Sequence, residues 1–227
     1  MNKKKLLALG KKKSLIDLTV RSLQDEYKIV QKDNEYSYAS TSWLPVKSYY
    51  LLFNLLLTIE YIIKNDIKVY NSSHYFLVGE FTNKLQLGEI QFSEPLLNEV
   101  YDRRIFELKF PTGSNLSTRT SKDLMYKLVM KKISKYKKDE WKRTQKINLR
   151  KSMDKIKYER FLNKFVVSIF DFPYYMRLRS NYRDFSFIDC VSKQETARYF
   201  VAYYEFTKNF HNALMRLSKQ LVKMRTQ

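Results

Sequence analysis

The sequence predicts an all-α protein, a helical bundle, and three observations support this fold class. Only four glycines and four prolines occur in 227 residues, too few for the repeated tight turns of a β-sandwich or barrel. Apolar residues make up 44% of the chain, which is enough to fill a core in a domain of this length. They recur mainly at the three- and four-residue spacing of amphipathic helices. We therefore expect a single helical domain over residues 14–227, preceded by a basic tail over residues 1–13.

Three helices are expected in the first part of the chain. The apolar residues of "SLIDLTVRSLQDEYKIV" recur at helical spacing and predict the first. The second is "WLPVKSYYLLFNLLLTIEYIIKN", the most apolar stretch and the expected central helix. Pro45 is assigned to its first turn, where a proline costs no helical hydrogen bond. A third helix follows, with Ser72 or Ser73 as its N-cap.

The second half of the chain combines one extended stretch with further helices. Alternating apolar residues followed by Pro111 and Gly113 predict a short extended insertion around residues 103–113. Helical spacing then continues through a basic segment over residues 122–160. "KYERFLNKFVVSIFDF" predicts another helix that Pro173 ends, and a long aromatic-rich helix closes the chain.

The charge of the chain predicts a polyanionic partner. The formal net charge is +20, so the protein should attract polyanions, with nucleic acid first and anionic membrane surfaces second. Residues 122–160 contain fifteen Lys or Arg against five Asp or Glu, a net charge of +10 and half of the total. The candidate phosphate contacts are Lys131, Lys132, Lys135, Lys137, Lys138, Lys142, Arg143, Lys146, Arg150 and Lys151, and the candidate base-stacking rings are Tyr136 and Trp141. The alternative is a solvated, lysine-rich helix with no ligand.

Several classes of protein are disfavoured by the residues that the chain lacks. A lone Cys190 cannot form an intrachain disulfide or a multi-cysteine zinc site, and it fits a reducing cytoplasmic setting. His74 and His211 are the only histidines, and each is interpreted as a surface or packing residue. No glycine-rich phosphate loop occurs, so no metal and no cofactor are expected. The most apolar run is interrupted by Asn54 and Glu60 and predicts no membrane-spanning helix.

An acidic metal-nuclease site is a weaker possibility at the extended stretch. Asp102, Glu107 and Lys109 include the Glu-x-Lys pattern in which two carboxylates hold a divalent cation and the lysine steadies the attacking water. Alternating charge on an exposed strand explains the same residues.

Three segments together resemble the HEPN superfamily. They are "WLPVKSYYLLFNLLLTIEYIIKN", "RLRSNYRDFSFID" and "TARYFVAYYEFTKNFHNALMRL", and the resemblance covers residues 14–227 in outline. It implies a helical bundle of a kind common in toxins and antiviral defence, whose members include metal-independent RNases that act as dimers. Active members carry an arginine and a histidine with four to six residues between them near the entrance to a late helix.

The resemblance places candidate site residues in "RLRSNYRDFSFID". Arg177 and Arg179 match the arginine, whereas no histidine follows at the required spacing and Tyr182 lies in its range. The expected function is therefore RNA or single-stranded nucleic-acid binding in a defence or toxin–antitoxin assembly. In this interpretation the active site is degenerate, with Arg179 holding a phosphate and Asn181 hydrogen-bonding nearby backbone. The alternatives are an active metal-independent endoribonuclease, which leaves enzymatic activity open, and a structural subunit that binds an acidic protein. A homodimer or a defence-complex partner is expected, and no membrane.

Overall fold

The computed structural model describes residues 3–102, 118–181 and 193–226, and it confirms the all-α class. Its helices in these ranges are α1 (Lys3–Val30), α2 (Asn34–Lys64), α3 (His74–Gln86), α4 (Pro95–Asn98), α5 (Thr118–Thr144), α6 (Ser152–Asn163), α7 (Asp171–Asn181) and α8 (Lys193–Thr226). A 3-10 helix spans Ile67–Asn71, and two short strands, β1 (Val100–Asp102) and β2 (Val166–Ser168), pair antiparallel. The extended insertion predicted around residues 103–113 lies outside the described residues.

The chain divides into two compact units, although the sequence predicts one domain. The core unit consists of residues 1–80 and 173–227, and the basic unit consists of residues 81–172. The segment predicted as a basic tail belongs to the first turns of α1, which begins at Lys3.

The core unit is built around α2, which packs against both α1 and α8. Leu44, Leu55 and Ile59 of α2 are fully or almost fully buried, and Phe200 and Phe210 of α8 fill the same interior. Burial of apolar side chains at this density supplies most of the stability of a helical unit.

The predicted start of the central helix at Pro45 is wrong. The helix begins eleven residues earlier, at Asn34, where the Asp33 carboxylate accepts hydrogen bonds from the backbone N–H groups of Glu35 and Tyr36 at 2.9 and 3.0 Å. Pro45 lies inside the helix. The polar residues before it stay helical because their hydroxyls bond to the preceding turn, as Thr41 Oγ1 does to the Ser37 carbonyl at 2.6 Å.

The central and final helices are the most apolar, and their packing predicts one core that contains Tyr50, Phe53, Leu56, Phe200, Tyr204 and Phe210. Leu56, Phe200, Tyr204 and Phe210 are buried in the core unit, which confirms four of the six. Tyr50 is the error, since 45% of its surface is exposed, and Phe53 is only half-buried. Tyr50 lies against the ring of Tyr49, and Phe53 lies against that of His74.

The basic unit packs α5 against β2. Phe81 and Phe92 lie on the ring of Phe170, at centroid distances of 5.4 and 6.3 Å. Beside them the hydroxyls of Thr82 and Ser168 share a buried hydrogen bond of 2.6 Å. This small interior fixes the position of α5, which carries most of the predicted phosphate contacts.

The helix predicted over "KYERFLNKFVVSIFDF" is also wrong in part. α6 ends at Asn163, and β2 and a turn separate it from α7. Val166 and Val167 are β-branched and pair with Asp102 and Tyr101 of β1, a composition that favours a strand. Pro173 stands in the first turn of α7 and therefore opens a helix. The prediction that Ser72 or Ser73 caps α3 is confirmed for Ser73, which accepts from the Phe76 N–H. Pro95 stands at the start of α4.

One segment of the described chain, 39–64, is long and apolar enough to cross a membrane. Most of it is buried by neighbouring helices of the core unit. The same length and composition are typical of the core helix of a water-soluble protein.

Candidate functional site

The helix α5 has an inner face that folds onto the rest of the basic unit. Met130, Ile133 and Ser134 are buried on this face. One and two turns further on, Lys137 and Trp141 continue the same row and are only partly exposed. Side chains three and four positions apart share a face of a helix, so this row faces the rest of the basic unit, with Lys137 and Trp141 at its partly exposed end.

The opposite face of α5 carries a stripe of exposed charge. Lys132, Lys135 and Arg143 are exposed and follow one another at helical spacing, with Asp139 between Lys135 and Arg143. Lys146, Arg150 and Lys151 continue this exposure in the turn between α5 and α6. We call these six cations the basic stripe.

The structure therefore divides the predicted phosphate contacts into two groups. The basic stripe keeps Lys132, Lys135, Arg143, Lys146, Arg150 and Lys151 in solvent, and Lys131 is also exposed. The remaining predicted residues, Tyr136, Lys137, Lys138, Trp141 and Lys142, are only partly exposed.

The inward cations already have partners. Lys137 Nζ lies 2.7 Å from Asp171 Oδ1 and donates to the Val166 carbonyl at 3.1 Å. Lys142 Nζ lies 2.8 Å from Asp139 Oδ1, and this hydrogen bond raises its pKa. Lys138 covers the ring of Phe165 at 5.0 Å. An ammonium group that is held by a carboxylate has less to gain from a phosphate, so the basic stripe is the better phosphate contact.

A second candidate site lies in the core unit around Arg177. Its guanidinium carbon lies 5.0, 5.5 and 5.8 Å from the ring centroids of Tyr49, Tyr50 and Tyr174, which are cation–π distances. Within the described chain its Nε and Nη1 atoms are buried without a hydrogen-bond partner, and no carboxylate lies in ion-pair distance. A half-buried guanidinium in this state is suited to bind an anion such as phosphate.

His74 lies on the same rings as Arg177, although the two are 103 positions apart in the sequence. Its imidazole is 5.2 Å from the ring of Tyr49 and 5.9 Å from that of Tyr174. Its Nδ1 is hydrogen-bonded to the hydroxyl of Tyr49, a residue with only 3% of its surface exposed. The Tyr49 hydroxyl can donate to Nδ1 or accept from it, so the imidazole can present either a proton or a lone pair at Nε2.

The electrostatic setting keeps His74 neutral. Burial lowers its pKa, and the positive charge of Arg177 lowers it further. A neutral imidazole near pH 7 can accept a proton from a hydroxyl group. His74, Tyr49 and Arg177 therefore form a set that can transfer a proton beside a bound anion; we call it the His74 cluster.

The sequence missed His74 because no local pattern connects it with Arg177. The histidine follows the Ser73 cap of α3, and the arginine belongs to the last turns of α7. Only the fold brings both to Tyr49. The remaining members of the resemblance are less informative: Arg179 is half-buried over Tyr175 at 5.8 Å, and Tyr182 and the Asn181 side chain lie outside the described residues.

The described residues provide no structural support for the acidic metal-nuclease alternative. Glu107 and Lys109 lie outside the described residues, as does the side chain of Asp102. Among the described side chains no three His, Cys, Asp or Glu residues form a group that could hold a metal ion.

The two histidines predict that the fold loses stability in mild acid. Burial is the main cause of a lowered pKa at both His74 and His211, opposed at His211 by Asn212 and Asp17. The unfolded chain therefore binds protons first, at an ordinary pKa of about 6.5. The contribution of the two neutral histidines to the free energy of unfolding is therefore complete above that pH and is lost as the pH falls through their folded-state pKa.

We expect the melting temperature to fall between about pH 7.5 and about pH 5.5. The double variant His74→Gln/His211→Gln should lose less over the same interval, because no histidine remains to be protonated. Circular dichroism measures the melting temperature of each protein. An equal fall in the unmodified protein and in the double variant would contradict the assignment of the pH dependence to the two histidines.

Comparison with known proteins leaves the family open. The chain matches no family model, no curated protein and no solved structure. Its function is therefore argued from the two candidate sites.

Proposed function

We propose that this protein binds single-stranded nucleic acid, and RNA in the first place, through the basic stripe of α5 and the turn that follows it. The observation that carries the proposal is the exposure of Lys132, Lys135 and Arg143 along one face of α5, whose other face is buried. Lys146, Arg150 and Lys151 extend this exposed charge into the turn that follows. Phosphates of a strand can follow such a row, because release of condensed counterions favours their contact with lysine and arginine.

Other parts of the proposal rest on the resemblance to the HEPN superfamily. They are membership of that superfamily, a role in a defence or toxin–antitoxin assembly, a homodimer or a defence-complex partner, and a cytoplasmic location. The all-α fold and the aromatic-rich late helix α8 support them. No histidine follows Arg177 or Arg179 with four to six residues between them, which argues against the usual arrangement of active members.

The proposed binding predicts a steep dependence on salt. For a strand contacting roughly five phosphates, the logarithm of the affinity should fall with a slope of about −3.5 against the logarithm of the salt concentration. Between about 50 and 200 mM salt the affinity should then drop about a hundredfold. Fluorescence anisotropy of a labelled oligonucleotide measures this directly, and a flat profile would contradict the proposal.

Two sets of variants separate the location of the charge from its amount. Replacing Lys132, Lys135, Arg143 and Lys146 with glutamine should abolish most of the salt-dependent binding. The matched control replaces Lys11, Lys13, Arg21 and Lys32, which are exposed cations of the core unit, and removes the same formal charge. Equal losses in the two variants would mean that net charge alone attracts the strand. Binding of polyglutamate as tight as that of the oligonucleotide would favour an acidic protein as the partner.

A second candidate function is metal-independent cleavage of RNA, favoured by the His74 cluster. His74 Nε2 can take the proton of a ribose 2′-hydroxyl while Arg177 stabilises the charge that develops on the attacked phosphate. The O2′–P bond then forms as the P–O5′ bond breaks, the 5′-oxygen takes a proton from water or from the imidazolium, and a 2′,3′-cyclic phosphate remains. Tyr49 holds the imidazole in place through Nδ1. The chemistry requires a 2′-hydroxyl and no divalent ion, so cleavage should persist in EDTA and spare DNA of the same sequence.

A further inference from the structure

An open depression lies between α5 and α6 of the basic unit, on the side of α5 that carries Trp141. Its volume is about 600 Å³, within the size range of small-ligand sites. Its lining consists of Trp141, Gln145, Ile147, Lys157, Arg160, Phe161, Asn163 and Lys164. This lining includes three cations and no carboxylate.

The floor of the depression is aromatic. The rings of Trp141 and Phe161 stack with centroids 4.2 Å apart and planes 8° apart. Tyr158 supports this pair at 6.1 Å from Phe161. The indole is only partly exposed, and because Phe161 covers one of its faces, a planar ligand can stack only on the other.

The rim provides groups of two chemical kinds. Lys157, Arg160 and Lys164 are exposed, and phosphates are the natural ligands of such cations. Lys157 Nζ lies 3.9 Å from Asp154 Oδ1, so Arg160 and Lys164 are the better phosphate contacts. Gln145 and Asn163 carry amides that can both donate and accept hydrogen bonds, as the edge of a nucleobase requires. A flat aromatic surface, amides and cations together match a nucleotide, whereas an acidic peptide would use only the cations.

The turn between the helices holds this arrangement in place. Lys146 adopts the left-handed conformation at φ 50°, the Ile147 N–H donates to the Lys142 carbonyl at 2.9 Å, and the Lys146 N–H donates to the Arg143 carbonyl at 3.1 Å. These two bonds form a Schellman cap on α5. The Asn148 N–H then donates to Asp154 Oδ2 of α6 at 3.0 Å, so the depression is formed before any ligand binds.

We propose that this depression holds one unpaired base of the bound strand, stacked on Trp141, with the adjoining phosphates on Lys157, Arg160 and Lys164. The inference rests on the proposed binding of single strands and adds to it a base-dependent contact. Bases in a duplex are already stacked on their neighbours, so the site selects single strands. The amides of Gln145 and Asn163 give it a preference among the four bases.

The test uses the full chain with Trp43→Phe, which leaves Trp141 as the only tryptophan. It is titrated with a single-stranded oligonucleotide and with an abasic strand of equal phosphate number. Stacking by one base should strengthen binding about tenfold over the abasic strand, and only the strand with bases should quench Trp141 fluorescence. Trp141→Leu, which keeps an apolar side chain, should remove the tenfold advantage and leave abasic binding unchanged. Phe76→Leu, at an exposed ring of the core unit, is the control and should keep the advantage.

The outcomes separate the inference from the proposed function. Equal affinity for the two strands, or an advantage that survives Trp141→Leu, overturns the base site and leaves the phosphate contacts standing. No binding of either strand at low salt overturns both. Loss of base preference in the Gln145→Ala/Asn163→Ala variant, with the tenfold advantage retained, would support the assigned role of the amides; an unchanged preference would overturn that role.

Discussion

Replacing Phe200 with alanine is expected to lower the free energy of unfolding by about 3–5 kcal/mol. Phe200 lies on α8 with none of its surface exposed, at the packing of α8 on α2 that forms the interior of the core unit. The substitution removes the buried ring and leaves a cavity that close-packed neighbours can fill only in part. Urea denaturation followed by helical circular dichroism measures the loss.

Trp43→Ala is the matched control for this prediction. It removes a larger aromatic side chain from α2, but 60% of Trp43 is exposed, and surface substitutions usually change stability by about 0.5 kcal/mol or less. Similar losses for Phe200→Ala and Trp43→Ala would mean that α8 does not pack as described.

The sequence predicts most helices because their buried apolar residues recur at helical spacing. It fails where a helix continues through polar residues and where a strand is only three residues long. The start of α2 is missed because "EYSYASTSW" reads as a linker, whereas Thr41 and Ser40 bond to carbonyls of the same helix. Strand β2 is missed because three residues between two helices give no period of their own. Its pairing partner, β1, lies more than sixty positions earlier.

The sequence predicts that the cations lie in the segment of the basic stripe, but not which of them are exposed. Composition locates the charge of residues 122–160, but it does not say which cations face inward. Lys137 is as basic as Lys135 in sequence, yet Lys137 is held by Asp171, an aspartate 34 positions away. Burial of residues such as Met130 and Ile133 decides which side of α5 faces the interior. The sequence alone does not say that these residues are the buried ones.

The His74 cluster depends entirely on tertiary structure. Arg177 is found from the sequence through a resemblance, and His74 is set aside because no carboxylate or arginine stands near it. Tyr49 joins them: it is bonded to His74 and lies under Arg177. Contacts between three separate helices cannot be inferred from one sequence by spacing.

If the cluster is an active site, replacing His74 with alanine is expected to slow RNA cleavage by about 10²–10⁴-fold, the usual contribution of a general base. The rate of the unmodified protein should begin to fall only at a pH below the ordinary imidazole pKa of about 6.5, because burial and Arg177 lower the pKa of His74. Below its own pKa the protonated imidazole cannot accept the 2′-hydroxyl proton. Arg177→Lys should also slow the reaction, since a lysine cannot reproduce the planar, two-pronged contact of a guanidinium with phosphate oxygens. Cleavage of a labelled RNA in EDTA, quantified on a gel, measures both effects.

His211→Ala is the matched control for the cleavage prediction. It removes the only other histidine of the chain, one whose ring is hydrogen-bonded to Asn212 on α8 and takes no part in the cluster, so the rate should stay within about twofold of the original. The binding of RNA through the basic stripe should be unchanged in His74→Ala, because His74 is not one of the stripe's cations. Equal cleavage by His74→Ala and the unmodified protein, or equal cleavage of RNA and DNA, would exclude His74 as the base. Absence of any cleavage by the unmodified protein would leave nucleic-acid binding as its function, with Arg177 serving at most to hold a phosphate.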